Sequence, residues 1–397
     1  MRLAWGLGGF ALGVAATSAS VAVGGARPPG DRRGALYAVV DTIFARYVEP
    51  LDADRVLAPA IQRLVGELDP HSSYLTAEQR RRAQQLRGAN TDAGLHVRLA
   101  VRGAGQRHLE VVGVRPDSLP WRAGVRPGDH LLRIGPRGPA SFLNQADVEL
   151  ALAGQPGTRH HLWVVSQGGG EPWPLELELV ARNAQRDVEA HVMRRAEGTY
   201  LLVAIRSFVT GVGAEVRELL TTHRLEVGPH GFAGIVLDLR GNPGGLVDEA
   251  LVVADLFVAD GVLTRTRGRD GKVLREERAH AAGTDRQTPL VIIQDRTTGS
   301  SAELLTAALR DHGRARVVGE QSYGKGTVQD VMGLSDGSLL TLTIARYYAP
   351  SGTPIDGVGV TPDRPLLCSD TGGADRCLAG AIKDIADRAD RRGRASR

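Results

Sequence analysis

The sequence predicts a multidomain α/β protein in which a helical N-terminal region precedes an inserted, mostly-β module and then an α/β core. Three observations predict it. Apolar residues follow a helical stripe at Leu36, Val39, Val40, Ile43, Phe44 and Val48, and again at Val56, Leu57, Ile61, Leu64, Val65 and Leu68. Between Gly94 and about Arg182 the pattern changes to short alternating strands separated by glycine turns. Beyond Asn183, near-continuous apolar strands alternate with helical segments, the pattern of a sheet covered on both faces.

Each region follows from local chemistry. The first 26 residues carry Arg2, an apolar stretch from Leu3 to Ala16, then small residues up to Ala26, which is the grammar of a signal peptide. That stretch is short for a spanning helix, which needs about 20 apolar residues. With Val21–Val23 included it would also serve as an uncleaved membrane anchor, so an exported, periplasmic or extracytoplasmic protein is expected. The helical region covers 31–85 and breaks at Asp69-Pro70, because the residue before proline is driven out of the helical conformation. In the β module, 86–182, Leu109–Val112 and Leu162–Val165 read as strands and Ala146–Leu152 as a helix. In the core, 183–366, the strands are Tyr200–Ile205, Gly234–Leu239 and Leu290–Ile293, with helices through Val216–Leu220 and Asp248–Phe257. Residues 367–397 read as a C-terminal tail.

Bulk composition narrows the function. At 397 residues the chain exceeds one ordinary core, and 42% hydrophobic with 24% charged residues excludes wholesale disorder or a polytopic membrane protein. Net charge is only +4, with acidic residues interspersed among the arginines, which speaks against a nucleic-acid partner. The basic runs Arg80-Arg81-Arg82 and Arg388–Arg397 read as a solvated helix face and a loose end. The two cysteines, Cys368 and Cys377, fit either a bridge across a short loop in an oxidising compartment or two buried thiols.

The chemistry concentrates between Gly299 and Gln329. Ser300 stands at a helix start, with Leu304, Leu305, Ala308 and Leu309 following at helical spacing. It has a structural explanation, since Ser is a preferred N-cap and Glu303 would complete a capping box. The alternative is a nucleophile placed where backbone N–H groups converge. Lysine usage favours the second. The chain has only Lys272, Lys325 and Lys383 against arginine everywhere else, so position 325 requires an amine rather than a charge. An amine can lose its proton and act as a base, whereas a guanidinium cannot. Gly324 and Gly326 flank it and allow the backbone to approach the catalytic helix. A base that must be neutral is expected in a dry site.

These residues resemble the carboxyl-terminal processing serine peptidases. The resemblance rests on Gly299-Ser300-Ser301-Ala302-Glu303, Gly319-Glu320, Gly324-Lys325-Gly326-Thr327-Val328-Gln329, Leu237-Asp238-Leu239-Arg240-Gly241-Asn242-Pro243-Gly244-Gly245 and Leu68-Asp69-Pro70-His71-Ser72, in order over residues 35 to 366. The β module resembles a PDZ domain through Gly94-Leu95-His96-Val97, Ala123-Gly124, Gly128-Asp129, Leu131–Ile134 and Gly157-Thr158, with Trp121 standing where a small residue is usual. Thr297-Thr298-Gly299 replaces the usual alanine/serine approach to the nucleophile.

The resemblance implies that Ser300 is the nucleophile, Lys325 the base and Gln329 the residue that orients it. Ser301 with Gly244 or Gly245 would form the oxyanion hole, and Gly94, Leu95 and His96 would bind a peptide carboxylate. It implies no cofactor or metal, protein or peptide substrates with exposed apolar tails, and room for a homo-oligomer. His71 reads as a turn residue. Asp311-His312 cannot form a triad with Ser300, because neighbours on one helix do not face each other. The rivals are a catalytically inactive PDZ scaffold and a protease whose PDZ-like unit gates the site.

Overall fold

The computed structural model describes residues 32–395 apart from 88–90, 103–104, 116–117, 182–185, 229–230, 281–283 and 369–374. The signal-peptide or anchor reading of residues 1–26 lies outside the described residues. The chain forms two compact units, one ending at Leu57 and the other running from Ala58. In the first, the apolar stripe becomes the helix Arg32–Arg46. A second helix, Ala53–Gly66, carries the next stripe across the boundary.

The larger unit is built on a sheet with six strands among the described residues, in the order 364–365, 315–319, 290–294, 234–238, 198–205 and 188–195. The strands from Gly198–Ile205 through Arg364–Pro365 run parallel, and Val188–Arg195 closes the edge antiparallel. Every residue of Gly234–Asp238 and Leu290–Gln294 is buried, as the apolar runs predict. One face packs on the helices Val212–Val227, Val247–Asp255 and Ser301–Asp311, with Leu237, Ile292, Leu305 and Leu309 among its fully buried members.

The other face corrects the reading of 367–397 as a tail. Residues Arg376–Ala395 form a helix whose Cys377, Ala381 and Ile385, four residues apart, pack on Val236, Val291, Ile293 and Val318. A side chain on Gly234 would meet Ile385 at 2.7 Å, so helix and sheet are in close contact there. The stripe is short, because from Asp387 onward the helix is dominated by arginine and aspartate. Cys368 and Cys377 are joined in a disulfide.

The inserted module is a five-stranded antiparallel sheet from Leu95–Arg102 to Trp173–Glu178, with the helix Gln145–Leu152 packed against its first strand. Its two ends meet where Thr91–Asp92 pairs with Val180–Ala181. The polar stretch before it is itself a helix, Ala77–Arg87. A further sheet brings Ser73–Leu75, Leu339–Tyr348 and Thr327–Gly333 together, so the segment after Asp69-Pro70 is tied to the strand beyond Lys325.

Candidate active site

Ser300 opens the helix Ser301–Asp311, but not as an ordinary cap. Its backbone has φ 54° and ψ −122°, whereas a capping residue has extended angles. A non-glycine residue in such a region costs about 1–3 kcal/mol and persists only where its surroundings dictate it. Those surroundings are visible. Gly299 N–H donates to the carbonyl of Asn242 at 2.9 Å, and Thr298 Oγ1 donates to the Leu239 carbonyl at 2.9 Å. Asp295 accepts from the N–H groups of Gly241, Thr297 and Thr298, which fixes the threonine approach.

The glycine loop lies directly against the serine. A side chain on Gly244 would stand 2.7 Å from Ser300 Cβ and 3.0 Å from the Ser301 nitrogen, and one on Gly245 would meet the Phe208 carbonyl at 2.3 Å. Gly244 has φ 105° and Gly245 φ 141°, so both positions exclude a side chain by conformation as well as by space. The two glycines are not equivalent. Gly244 N–H is taken by Asn242 Oδ1 at 2.8 Å, while the bridge at Gly245 uses the neighbouring Gly244 carbonyl and Leu246 N–H.

Glu303 connects this corner to Lys325. The fully buried carboxylate accepts from Ser300 N–H at 2.8 Å and Lys325 N–H at 2.9 Å, both on Oε2, and from Gly324 N–H at 2.7 Å and Ser322 Oγ at 2.5 Å on Oε1. The backbone nitrogens of Ser300 and Lys325 are therefore two hydrogen bonds apart. Burial pushes the Glu303 carboxyl above its ordinary range, against the pull of the hydroxyl and N–H donors. Gly324 N–H is thus anchored to the helix that Ser300 opens. Gly326 answers a different need, since a side chain there would meet the Asp356 nitrogen at 2.3 Å.

Lys325 is half-buried and lines a cavity of about 350 Å³ with Pro243, Thr297, Gly299, Tyr323 and His71. His71, in the turn after Asp69, therefore also faces this cavity. Burial, and after it the Lys325 charge, push its imidazole below the ordinary value. Gln329 lies on the strand Thr327–Gly333, just after a register shift between Val328 and Gln329, and its Nε2 donates to Thr327 Oγ1 at 2.5 Å. His312 is elsewhere, with Nε2 on the Val262 carbonyl.

The same cavity continues into the inserted module, where Leu95, His96, Val97, Gln145 and Val148 line it. Of the three residues expected to bind a carboxylate, Leu95 and His96 face this space, while Gly94 N–H is taken by Asp92 Oδ1 at 2.6 Å. The outer edge of Leu95–Arg102 is partly closed by Gln145, which accepts from Leu99 N–H at 2.8 Å and donates to the Val97 carbonyl at 2.9 Å. Arg98 donates to the Tyr323 carbonyl at 2.9 Å and pairs with Glu110 at 2.8 Å.

The model of peptidase family S41 matches residues 199–366. A carboxy-terminal-processing protease of Bartonella bacilliformis is 32% identical over 331 residues, 82% of this chain and 73% of that one. The chain belongs to this family of serine peptidases. A chloroplastic carboxyl-terminal-processing peptidase 2 of Arabidopsis thaliana is 31% identical over 80% of this chain, which spans 62% of that relative's length. The solved photosystem II D1 C-terminal processing protease superposes with a TM-score of 0.70 at 27% identity, covering 88% of this chain and 90% of that one.

Membership in the family leaves three features of this protease that the sequence reading did not reach. Glu303 was legible only as a cap; its separation of 19 to 22 residues from Ser322, Gly324 and Lys325 gave no signal that one carboxylate would gather them. His71 had a signal, the motif around Asp69-Pro70, but not its destination in the cavity. Asp375 donates nothing to any recognisable motif, yet it forms a two-point pair with Arg240 beside the glycine loop. Among the described residues no helix is long and apolar enough to cross a membrane.

Proposed function

We propose that this serine peptidase works through Ser300 as nucleophile and Lys325 as general base, and that it cuts exported proteins or peptides near apolar C-terminal tails. The shared Glu303 Oε2, which ties the Ser300 and Lys325 backbones together, carries the reading. Ser300 Oγ attacks the scissile carbonyl while its proton passes to the amine of Lys325, which returns it to the departing amine. Water, deprotonated by the same amine, then releases the acyl group. Gln329 supports the lysine without adding a negative charge, its carbonyl oxygen being left over from the bond to Thr327.

The oxyanion is received by the N–H groups of Ser301 and Gly245, since that of Gly244 already serves Asn242. The PDZ-like module captures the tail by adding it to the edge of Leu95–Arg102, where the cavity runs on toward Lys325. The leader-like residues 1–26 support export, and an uncleaved leader would anchor the protein to the membrane.

The test incubates the wild-type protein and Ser300→Ala with an unfolded protein carrying an apolar tail and with its C-terminally amidated twin. Cleavage by wild type alone, weaker on the amidated twin, is expected. Equal cleavage by Ser300→Ala would remove the nucleophile assignment, and equal cleavage of the twins would remove carboxylate capture.

A further inference from the structure

We propose that Asp375 is a positioning residue for the peptidase reaction, and that the Cys368–Cys377 disulfide holds it in place, so that the oxyanion loop is fully built only in the oxidised protein. The proposal rests on the reading of Ser301 and Gly245 as the oxyanion side.

Arg240 stands two residues after the strand Gly234–Asp238, in the loop that leads to Gly245, and its guanidinium is gripped from two sides. Asp238, only 3% exposed, accepts from Nε at 2.9 Å and from Nη2 at 2.6 Å. Asp375 accepts from Nη1 at 3.0 Å and from Nη2 at 2.7 Å. Two-point pairing of this kind fixes orientation as well as distance. Arg240 N–H also donates to Asp238 Oδ1 at 3.1 Å, so backbone and side chain are set together.

From Arg240 the chain runs through Gly241, bonded to Asp295, to the fully buried Asn242. Asn242 takes Gly299 N–H on its carbonyl and Gly244 N–H on its side chain. A shift of Arg240 thus reaches both walls of the proposed oxyanion hole through two consecutive residues.

Apart from Arg240, Asp375 is held by the helix it opens, which the disulfide ties to Cys368. It lies 135 residues from Arg240 in the chain, immediately before the helix Arg376–Ala395. The disulfide joins Cys368 to Cys377 two residues beyond it, with a sequence separation of 9. Cys377 is fully buried against the sheet, and the Cys368 sulfur would lie 3.2 Å from a side chain on Gly319 of the strand Ala315–Gly319. The bridge therefore ties both ends of the Asp375 segment to the core. A dithiol reductant would transfer two electrons and two protons, becoming a disulfide itself and leaving two thiols. The covalent link between Cys368, beside the strand Ala315–Gly319, and the start of the helix would then be lost.

The role can be separated from folding because Asp375 also caps its helix, with Oδ1 accepting Leu378 N–H at 2.9 Å. Asn is as good a cap as Asp, so Asp375→Asn keeps the cap and removes the charge. The experiment measures kcat and KM for the full chain with a tail-bearing substrate, oxidised and after dithiothreitol, for wild type, Asp375→Asn, Ile385→Ala and Ser300→Ala. Ile385→Ala loosens the same helix without touching the ion pair.

Asp375→Asn is expected to lose about tenfold in kcat at nearly unchanged KM, the signature of a lost transition-state interaction. Reduction should lower wild-type kcat to a similar extent and Asp375→Asn no further. Wild-type kcat in Asp375→Asn, or an equal loss in Ile385→Ala at temperatures where both remain folded, overturns the positioning role. A further loss on reducing Asp375→Asn overturns the link to the disulfide. Activity in Ser300→Ala would instead overturn the underlying reading of the site.

Discussion

The Ser300 corner and the Lys325 side chain are two halves of one candidate site built in different ways. Around Ser300 the constraints grip the main chain: Gly299 N–H on the Asn242 carbonyl, Gly241 and Thr298 N–H on the Asp295 carboxylate, and two glycines pressed against the serine and Phe208. Around Lys325 the backbone is pinned by Glu303, but the side chain extends into a cavity shared with His71, Tyr323 and the inserted module. The half to which the proposal gives the developing charge is held by bonds to its backbone. The half to which the proposal gives the proton opens onto a cavity, and catalytic hydrogen bonds often tighten once substrate binds.

The strongest way to break the comparison is at Lys325. Lys325→Arg keeps the charge and removes the removable proton, so it is expected to be as inactive as Lys325→Ala, about 10²–10⁴-fold below wild type in kcat. Near-wild-type turnover in the arginine variant would show that the mobile half uses another base. Glu303, which joins the halves, comes next. Glu303→Ala leaves buried donors on both sides unpaired at about 1–3 kcal/mol for each group left unsatisfied, and Glu303→Gln supplies only one acceptor oxygen. Thermal unfolding and kcat should fall together in the order wild type, Gln, Ala. Unchanged kcat in a folded Glu303→Ala would separate the two halves after all.

The same contrast explains what could be read from the sequence. Buried strands announce themselves as apolar runs, and Gly234–Asp238 and Leu290–Gln294 stand where those runs predict. Lys325 stands out because arginine is used at nearly every other basic position, and it lines the cavity with Gly299. What could not be read depends on distance along the chain. Glu303 has a sufficient local explanation as a cap, which concealed its four bonds. The last helix sets Cys377, Ala381 and Ile385 on the sheet just ahead of a run of arginines and aspartates, and the Asp375–Arg240 pair joins positions that no local pattern relates.

A smaller effect sharpens the role of the inserted module. Gly113, on the strand Gln106–Val114, approaches Thr297 so closely that an added methyl would stand 2.1 Å from Thr297 Cγ2. Gly113→Ala must therefore turn the threonine or push the module away, an overpacking cost of about 1–3 kcal/mol. KM for a tail-bearing substrate should rise more than kcat falls. If kcat alone changes, the contact serves the rigid half and not tail delivery.

The smallest expected effect concerns acid stability on the rigid side. Burial alone would raise the Asp375 carboxyl, but the bonds from Arg240 and from the helix N-terminus outweigh it and hold the carboxyl below its ordinary value. The unfolded chain, with an aspartate near ~3.9, therefore binds a proton before the folded one does. It follows that this group's contribution to stability is complete above that value and disappears as the pH falls through the lower, folded one. Asp375→Asn has no proton to bind. The stability difference between wild type and Asp375→Asn should be constant near neutrality and shrink as the pH falls below about 3.9, measured as the separation of their unfolding midpoints. A separation that stays constant through this range would mean that Arg240 gains nothing from the charge on Asp375, and the rigid half would then rest on Asp238 and Asp295 alone.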